Sequence, residues 1–163
     1  MKIQEIMQRE VKACSLDDTL NTAARLMWDS DCGCVPVIAT DGNGEIVGMI
    51  SDRDICMAAY TQGKCLNDIP VAVAMARSVL SCKPNDDLAL AEAMMREARI
   101  HRIPVVDDAG AVVGIVSLTD IARKALSLGD GKVALGTQAE IARTLAAIRE
   151  PRGHELEVLP KAA

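Results

Sequence analysis

Two short stretches place a hydroxyl and a carboxylate three residues apart. "GMISDRDI" at 48–55 sets Ser51 before Asp54, and "GIVSLTDI" at 114–121 sets Ser117 before Asp120. At a helix start this spacing builds a capping box, in which the hydroxyl takes one orphan N–H and the acid reaches back for another. The same pair could also hold a polar ligand, and the stretch by itself leaves both readings open. The cysteines offer a second chemistry. Cys32 and Cys34 in "DCGC" alternate, so on a strand both would face one side, which suits a thiol switch or part of a metal site. No C-x2-C pair accompanies them, and His101 and His154 are the only histidines. Buried cysteine as a small apolar filler is the competing reading.

The elements that must position these residues come in two copies. Shifted by 68, Met7, Arg9, Cys14, Leu20, Ala23, Met27 and Pro36 fall on Met75, Arg77, Cys82, Leu88, Ala91, Met95 and Pro104. After "IATDGNG" the offset becomes 66, and Gly48, Ser51 and Asp54 fall on Gly114, Ser117 and Asp120. The two-residue difference lies in a Gly/Asn/Asp-rich turn, where it costs little. Each copy predicts a short strand (Val11–Cys14 or Val79–Cys82), an Asp-rich turn, and a helix with Leu20, Ala23, Ala24 and Met27, or Leu88, Ala91, Met95 and Ala98, on one face. Two apolar runs around a Gly turn then predict a hairpin, and a second helix opens at Ser51 or Ser117. The fold class is α+β, with the order β-α-β-β-α twice. One such unit buries little core alone, so the copies are expected to pack sheet to sheet about a pseudo-two-fold axis. The expected division is 1–62, a linker at 63–69, 70–126, and a C-terminal piece at 127–163.

Composition narrows the functions. Half the 163 residues are apolar, yet the chain has no Phe, one Trp and one Tyr. Met27, Met49, Met57, Met75, Met94 and Met95 are therefore expected to fill the core. Few aromatics, a net charge of −5 and no long basic run argue against nucleic acid and anionic membranes. No apolar run has the form of a signal peptide or the length to span a bilayer, so a cytoplasmic location is the default expectation. No nucleophile–base pair stands out, so the chain is not expected to be an enzyme.

The motifs "VPVI…G…GMISDRDI" and "HRIPVV…G…GIVSLTDI", each with an upstream Asp-rich helix start, resemble the CBS domain (the cystathionine-β-synthase-type module) over roughly residues 1–126. The pair resembles a Bateman module. The resemblance implies a regulatory module that binds an adenosine-containing ligand (AMP, ADP, ATP or S-adenosylmethionine) in the cleft between the copies, needs no cofactor, and signals to an effector protein. It also implies a disc-like homodimer. Carried onto this chain, it makes Ser51 and Asp54 in one site, and Ser117, Thr119 and Asp120 in the other, the ribose and phosphate contacts. An ionised Asp can accept from ribose hydroxyls, and a helix N-terminus favours phosphate. It places His101 and Arg102 at a phosphate. Copy one has Gly33 and Cys34 at those positions, with Arg53 in place of Thr119, so unequal sites are expected. Val79, Leu80 and the residues near Cys82 would meet adenine in one site, Val11 and Ala13 in the other. A thiol- or metal-responsive interaction protein using Cys32 and Cys34 is the alternative.

Beyond the repeat, "SLGDGKVALG" reads as a linker and "TQAEIARTLAAIRE" as a helix at about 137–150. Thr137 and Glu140 would form its capping box, with Ile141, Leu145 and Ile148 as its apolar stripe. It is expected to pack on the module or across a second chain.

Overall fold

The computed structural model of the protein describes residues 1–127 and 135–149, with Ser127 and residues 135–138 described by their backbone alone. In the first unit come β1 (Cys14–Ser15), α1 (Leu20–Asp29), β2 (Cys34–Ile38), β3 (Ile46–Ser51) and α2 (Asp52–Gln62). The second unit has α3 (Leu88–Ala98), β4 (Arg102–Val106), β5 (Val112–Ser117) and α4 (Leu118–Ser127), and α5 (Leu135–Arg149) follows. The expected repeat order is present, with one shortfall. The first strand of each unit is only β1 in the first and a lone parallel bridge, Cys82 to Val105, in the second. The residues just before them, 9–13 and 77–81, cross between the two sheets and have no continuous partner.

Local signals set the helices. Thr19 caps α1 by accepting from Thr22 N, and Leu20, Ala23 and Met27 bury one face. The chain leaves α1 and α3 through Asp31 at φ 47° and Arg99 at φ 54°, the same left-handed turn at equivalent positions. β2 and β3 pair antiparallel, as do β4 and β5, and each pair shifts register near its turn. The two turns also join each other. Ile46 N donates to Gly110 O at 3.2 Å, and Val112 N to Gly44 O at 3.1 Å.

Each core borrows from outside its own β-α-β-β-α stretch. Ile3 and Met7 lie in the second unit's core with Met95, Ile103, Val116 and Ile121. Ile69, Val71 and Met75 lie in the first unit's core with Leu20, Val37 and Ile50. The expected linker at 63–69 thus carries a fully buried side chain, Ile69. The borrowed segments also extend the sheets: Gln8 bridges Ile115 on the edge of β5, and Ala76 bridges Met49 on the edge of β3. This close approach explains the glycines. A Cβ on Gly48 would lie 2.5 Å from Met75 Sδ, and one on Gly114 would lie 2.7 Å from Met7 Sδ.

Met27, Met75 and Met95 are buried as expected, whereas Met57 is exposed on the outer face of α2. α5 packs on α3 and α4. Its buried positions are Thr144 and Ile148, with Ile141 packed against the core, while Leu145 is 44% exposed. The inward stripe is therefore 141–144–148, because the helical period carries Leu145 past the contact. α5 begins at Leu135, so the backbone of Thr137 is inside the helix and not at its N-cap, and its side chain lies outside the described residues. Residues 128–134 and 150–163, with most of the expected linker and the tail, lie outside the description as well.

Candidate functional site

Both Ser-x-x-Asp motifs form complete capping boxes where a strand turns directly into a helix. Ser51 N and Oγ donate to Asp54 Oδ2 at 2.9 and 2.6 Å, and Asp54 N donates back to Ser51 Oγ at 3.3 Å. In the second unit, Ser117 N and Oγ donate to Asp120 Oδ2 at 2.9 and 2.5 Å, and Asp120 N donates to Ser117 Oγ at 3.1 Å. The capping reading is therefore correct for both, and it does not exclude ligand contact. Each box uses one carboxylate oxygen and leaves the other to its surroundings.

Those surroundings differ. Asp120 Oδ1 accepts from Gln8 Nε2 at 2.7 Å, and Ser117 and Asp120 are both buried. The repeat-equivalent of Gln8 is Ala76, which has no donor to offer. Ser51 and Asp54 are half-buried, and Asp54 Oδ1 has no hydrogen-bond partner among the described residues. Sequence reasoning missed Gln8. Its signal was the break in repeat symmetry at a position beside Met7 and Met75.

The basic pair also divides. Arg102 stands opposite Ser117 in the β4–β5 register, yet its Nη1 lies 3.7 Å from Cys34 Sγ, and Cys34 stands opposite Ser51. Its charge reaches toward the first unit. His101 is exposed, and partial burial together with Arg149 of α5 and Arg102 holds its imidazole below the usual range. Arg53 and Thr119 are exposed in the first turns of α2 and α4. Val79 is half-buried and Leu80 exposed in the crossing segment 77–81, and Val11 and Ala13 are half-buried in the crossing segment 9–13.

The cysteines divide by burial. Cys14 and Cys82 are buried, each with its Sγ against a proline carbonyl, and burial first, with Asp18 or Asp86 second, pushes their thiols up to about 11 and about 12. Burial also raises Cys34, a shift that Arg102 only partly offsets. Among the described residues no three His, Cys, Asp or Glu converge as a metal site would need. No helix among them is long and apolar enough to cross a membrane.

A cavity of about 440 Å³ opens on the helical face of the first unit and is lined by Asp52, within the Ser51–Asp54 box, though not by Ser51 or Asp54 themselves. Ala24, Met27, Trp28, Asp31, Cys32, Gly33 and Ile55 complete the lining.

The family pattern described as the CBS domain matches residues 3–60 and again 67–127. A curated relative, "CBS domain-containing protein YhcV" of Bacillus subtilis, is 34% identical over 125 residues, covering 77% of this chain and 86% of its own. Other curated relatives are longer proteins, of which this chain spans 23%. Among solved structures, the CBS domain pair of MJ0100 in complex with 5'-methylthioadenosine and S-adenosyl-L-methionine is similar at TM-score 0.66 and 26% identity, over 76% of this chain and 98% of that one. Hypoxic Response Protein I with two coordinated zinc ions is similar at TM-score 0.68 and 28% identity, over 76% and 98%.

Proposed function

This chain belongs to the CBS-domain family, with two copies in tandem, and from that premise we propose that it is a non-catalytic regulatory module holding an adenosine-containing ligand between its two units. AMP, ADP, ATP and S-adenosylmethionine are the candidates, and the ligand complex of the MJ0100 pair supports that class. The observation that carries the reading is Asp54. Its carboxylate sits at a helix N-terminus, half-buried, with Oδ1 open beside the Ser51 hydroxyl. A carboxylate oxygen so placed can accept from ribose hydroxyls, and the first N–H groups of α2 favour phosphate.

The two sites are unequal in the opposite sense to the one expected from His101 and Arg102. Gln8 already engages the second oxygen of Asp120, so a ligand there must displace it. Arg102 reaches across to Cys34, beside Ser51, and adds its charge to the first-unit site. That site would use Ser51, Asp54 and Arg102, with Arg53 near the phosphate. Ser117, Thr119 and Asp120 would form the weaker site, and Val79, Leu80, Val11 and Ala13 would offer apolar backing for adenine. His101, whose imidazole burial and the charges of Arg149 and Arg102 keep below its usual range, contributes least.

Ligand contacts on both units would favour one arrangement of the pair, and an effector protein would read it. A homodimer is part of this proposal, tested by sedimentation with and without ligand. Isothermal titration of the full chain with the four candidate ligands tests the main reading. At least one is expected to bind, and Asp54→Asn to weaken it about tenfold or more, the loss of a hydrogen bond to a charged group. No binding at millimolar concentration by folded protein overturns the proposal. The thiol- or metal-responsive alternative has the zinc of Hypoxic Response Protein I on its side, but burial of Cys34 works against a reactive thiolate.

A further inference from the structure

The two Ser-x-x-Asp boxes differ in how many acceptor positions they leave for a ligand. An ionised carboxylate has about four lone-pair positions, shared equally by its two oxygens. In both boxes Oδ2 is used twice, by the backbone N–H and the hydroxyl of Ser51 or Ser117. Asp54 Oδ1 has no partner among the described residues, so both of its positions are open. Asp120 Oδ1 already accepts from Gln8 Nε2 at 2.7 Å, which leaves a single position. The backbone that carries Gln8 is duplicated, but the side chain is not. Gln8 and Ile115 exchange two backbone bonds of 2.9 Å, and their repeat equivalents, Ala76 and Met49, exchange the same pair at 2.8 and 2.9 Å. Both sheet edges are therefore fixed alike, and only the second carries an amide over its carboxylate. Gln8 is exposed while Asp120 is buried, so the amide can swing aside without disturbing the edge or the core.

A ribose presents two hydroxyl donors on adjacent carbons. Asp54 can accept both on Oδ1. Asp120 can accept one, and the other must displace Gln8 or turn to the amide carbonyl, a neutral and weaker acceptor than a carboxylate. We infer that Gln8 sets the sugar selectivity of the second site: the Asp120 site takes adenosine ligands with one ribose hydroxyl almost as well as those with two, whereas the Asp54 site discriminates against the loss of either. The inference rests on the adenosine reading of the two boxes and adds to it which sugars each box accepts. Arg102, Arg53, Thr119 and the helix N-termini would act on the phosphate, which ribose and deoxyribose ligands share. Their unequal strengths at the two sites therefore cancel when the two sugars are compared at one site.

Calorimetric titration of the full chain with AMP, 2′-deoxy-AMP and 3′-deoxy-AMP tests the inference, with ATP and its two deoxy forms as a second series. At the tighter site of the unaltered chain, removing either hydroxyl is expected to weaken binding about tenfold or more, the loss of a hydrogen bond to a charged group. Asp54→Asn leaves the Asp120 site to be measured, and there the same removal is expected to weaken binding by less than about threefold, the loss of at most one neutral hydrogen bond. Adding Gln8→Ala to that variant changes one exposed side chain. It should bring the discrimination back to about tenfold, by tightening the ribose forms while the deoxy forms stay unchanged. Equal discrimination at the two sites, a Gln8→Ala variant whose discrimination does not rise, or a chain whose binding is lost altogether in Asp54→Asn overturns the inference and leaves the adenosine reading standing. No binding of AMP or ATP overturns it as well, and the adenosine reading falls with it only if S-adenosylmethionine also fails to bind.

Discussion

Asp54 and Asp120 occupy equivalent positions with equivalent caps, and Gln8 on one side and Arg102 on the other separate their surroundings. Gln8→Ala frees Asp120 Oδ1, and under the proposed function calorimetry is expected to find the proposed Asp120 site strengthened while the proposed Asp54 site stays unchanged. The cysteines separate by the same logic of surroundings. Cys56 and Cys65 are exposed and Cys14 and Cys82 are buried, so alkylation at pH 8 should label the first two quickly and the last two only on unfolding, as mass spectrometry would show. The folded-state values of about 11 and about 12 lie above the ordinary 9.0. Their stabilising effect is therefore full below pH 9 and lost as pH rises through those values, and urea midpoints measured from pH 8 to 11 should fall.

Elements show where the chain was readable. The repeat, both hairpins, the helix faces and the capping boxes were legible because each rests on local spacing within about ten residues. The first strands were overread: residues 11–13 and 79–81 are apolar enough for a strand, but they cross between sheets and have no edge to pair along. Leu145 was misplaced on the stripe because Thr144, a polar residue, is the one fully buried on α5. Its Oγ1 has no hydrogen-bond partner among the described residues, so Thr144→Val is expected to stabilise the chain by about 1 kcal/mol in urea unfolding. Gly114 was read as part of a motif, but its reason is steric. A Cβ there would lie 2.7 Å from Met7 Sδ and 3.1 Å from Gln8 O, so Gly114→Ala should cost about 1–3 kcal/mol and loosen the edge that carries Gln8.

For the molecule as a whole, the boundary between the copies in sequence is not the boundary between the cores. Ile3 and Met7 serve the second unit, and Ile69, Val71 and Met75 serve the first. No local pattern announces this, because the partners lie a whole repeat away. Each buried Ile or Met contributes about 1.5–3 kcal/mol, so deleting residues 1–8 removes about 3–6 kcal/mol from the far unit. The two units are expected to unfold in one transition, with far-UV dichroism and Trp28 fluorescence coincident, although Trp28 is in the first unit alone. Two separated transitions would contradict that coupling. The exchange also bears on ancestry. A single-repeat chain of this design has its N-terminal segment turned away from its own core, so it could complete that core only by trading the segment with a twin. Two copies in one chain keep the trade within the molecule and leave the halves free to differ. So a glutamine stands in one half where the other has alanine, and a fifth helix packs on the helices of the second half.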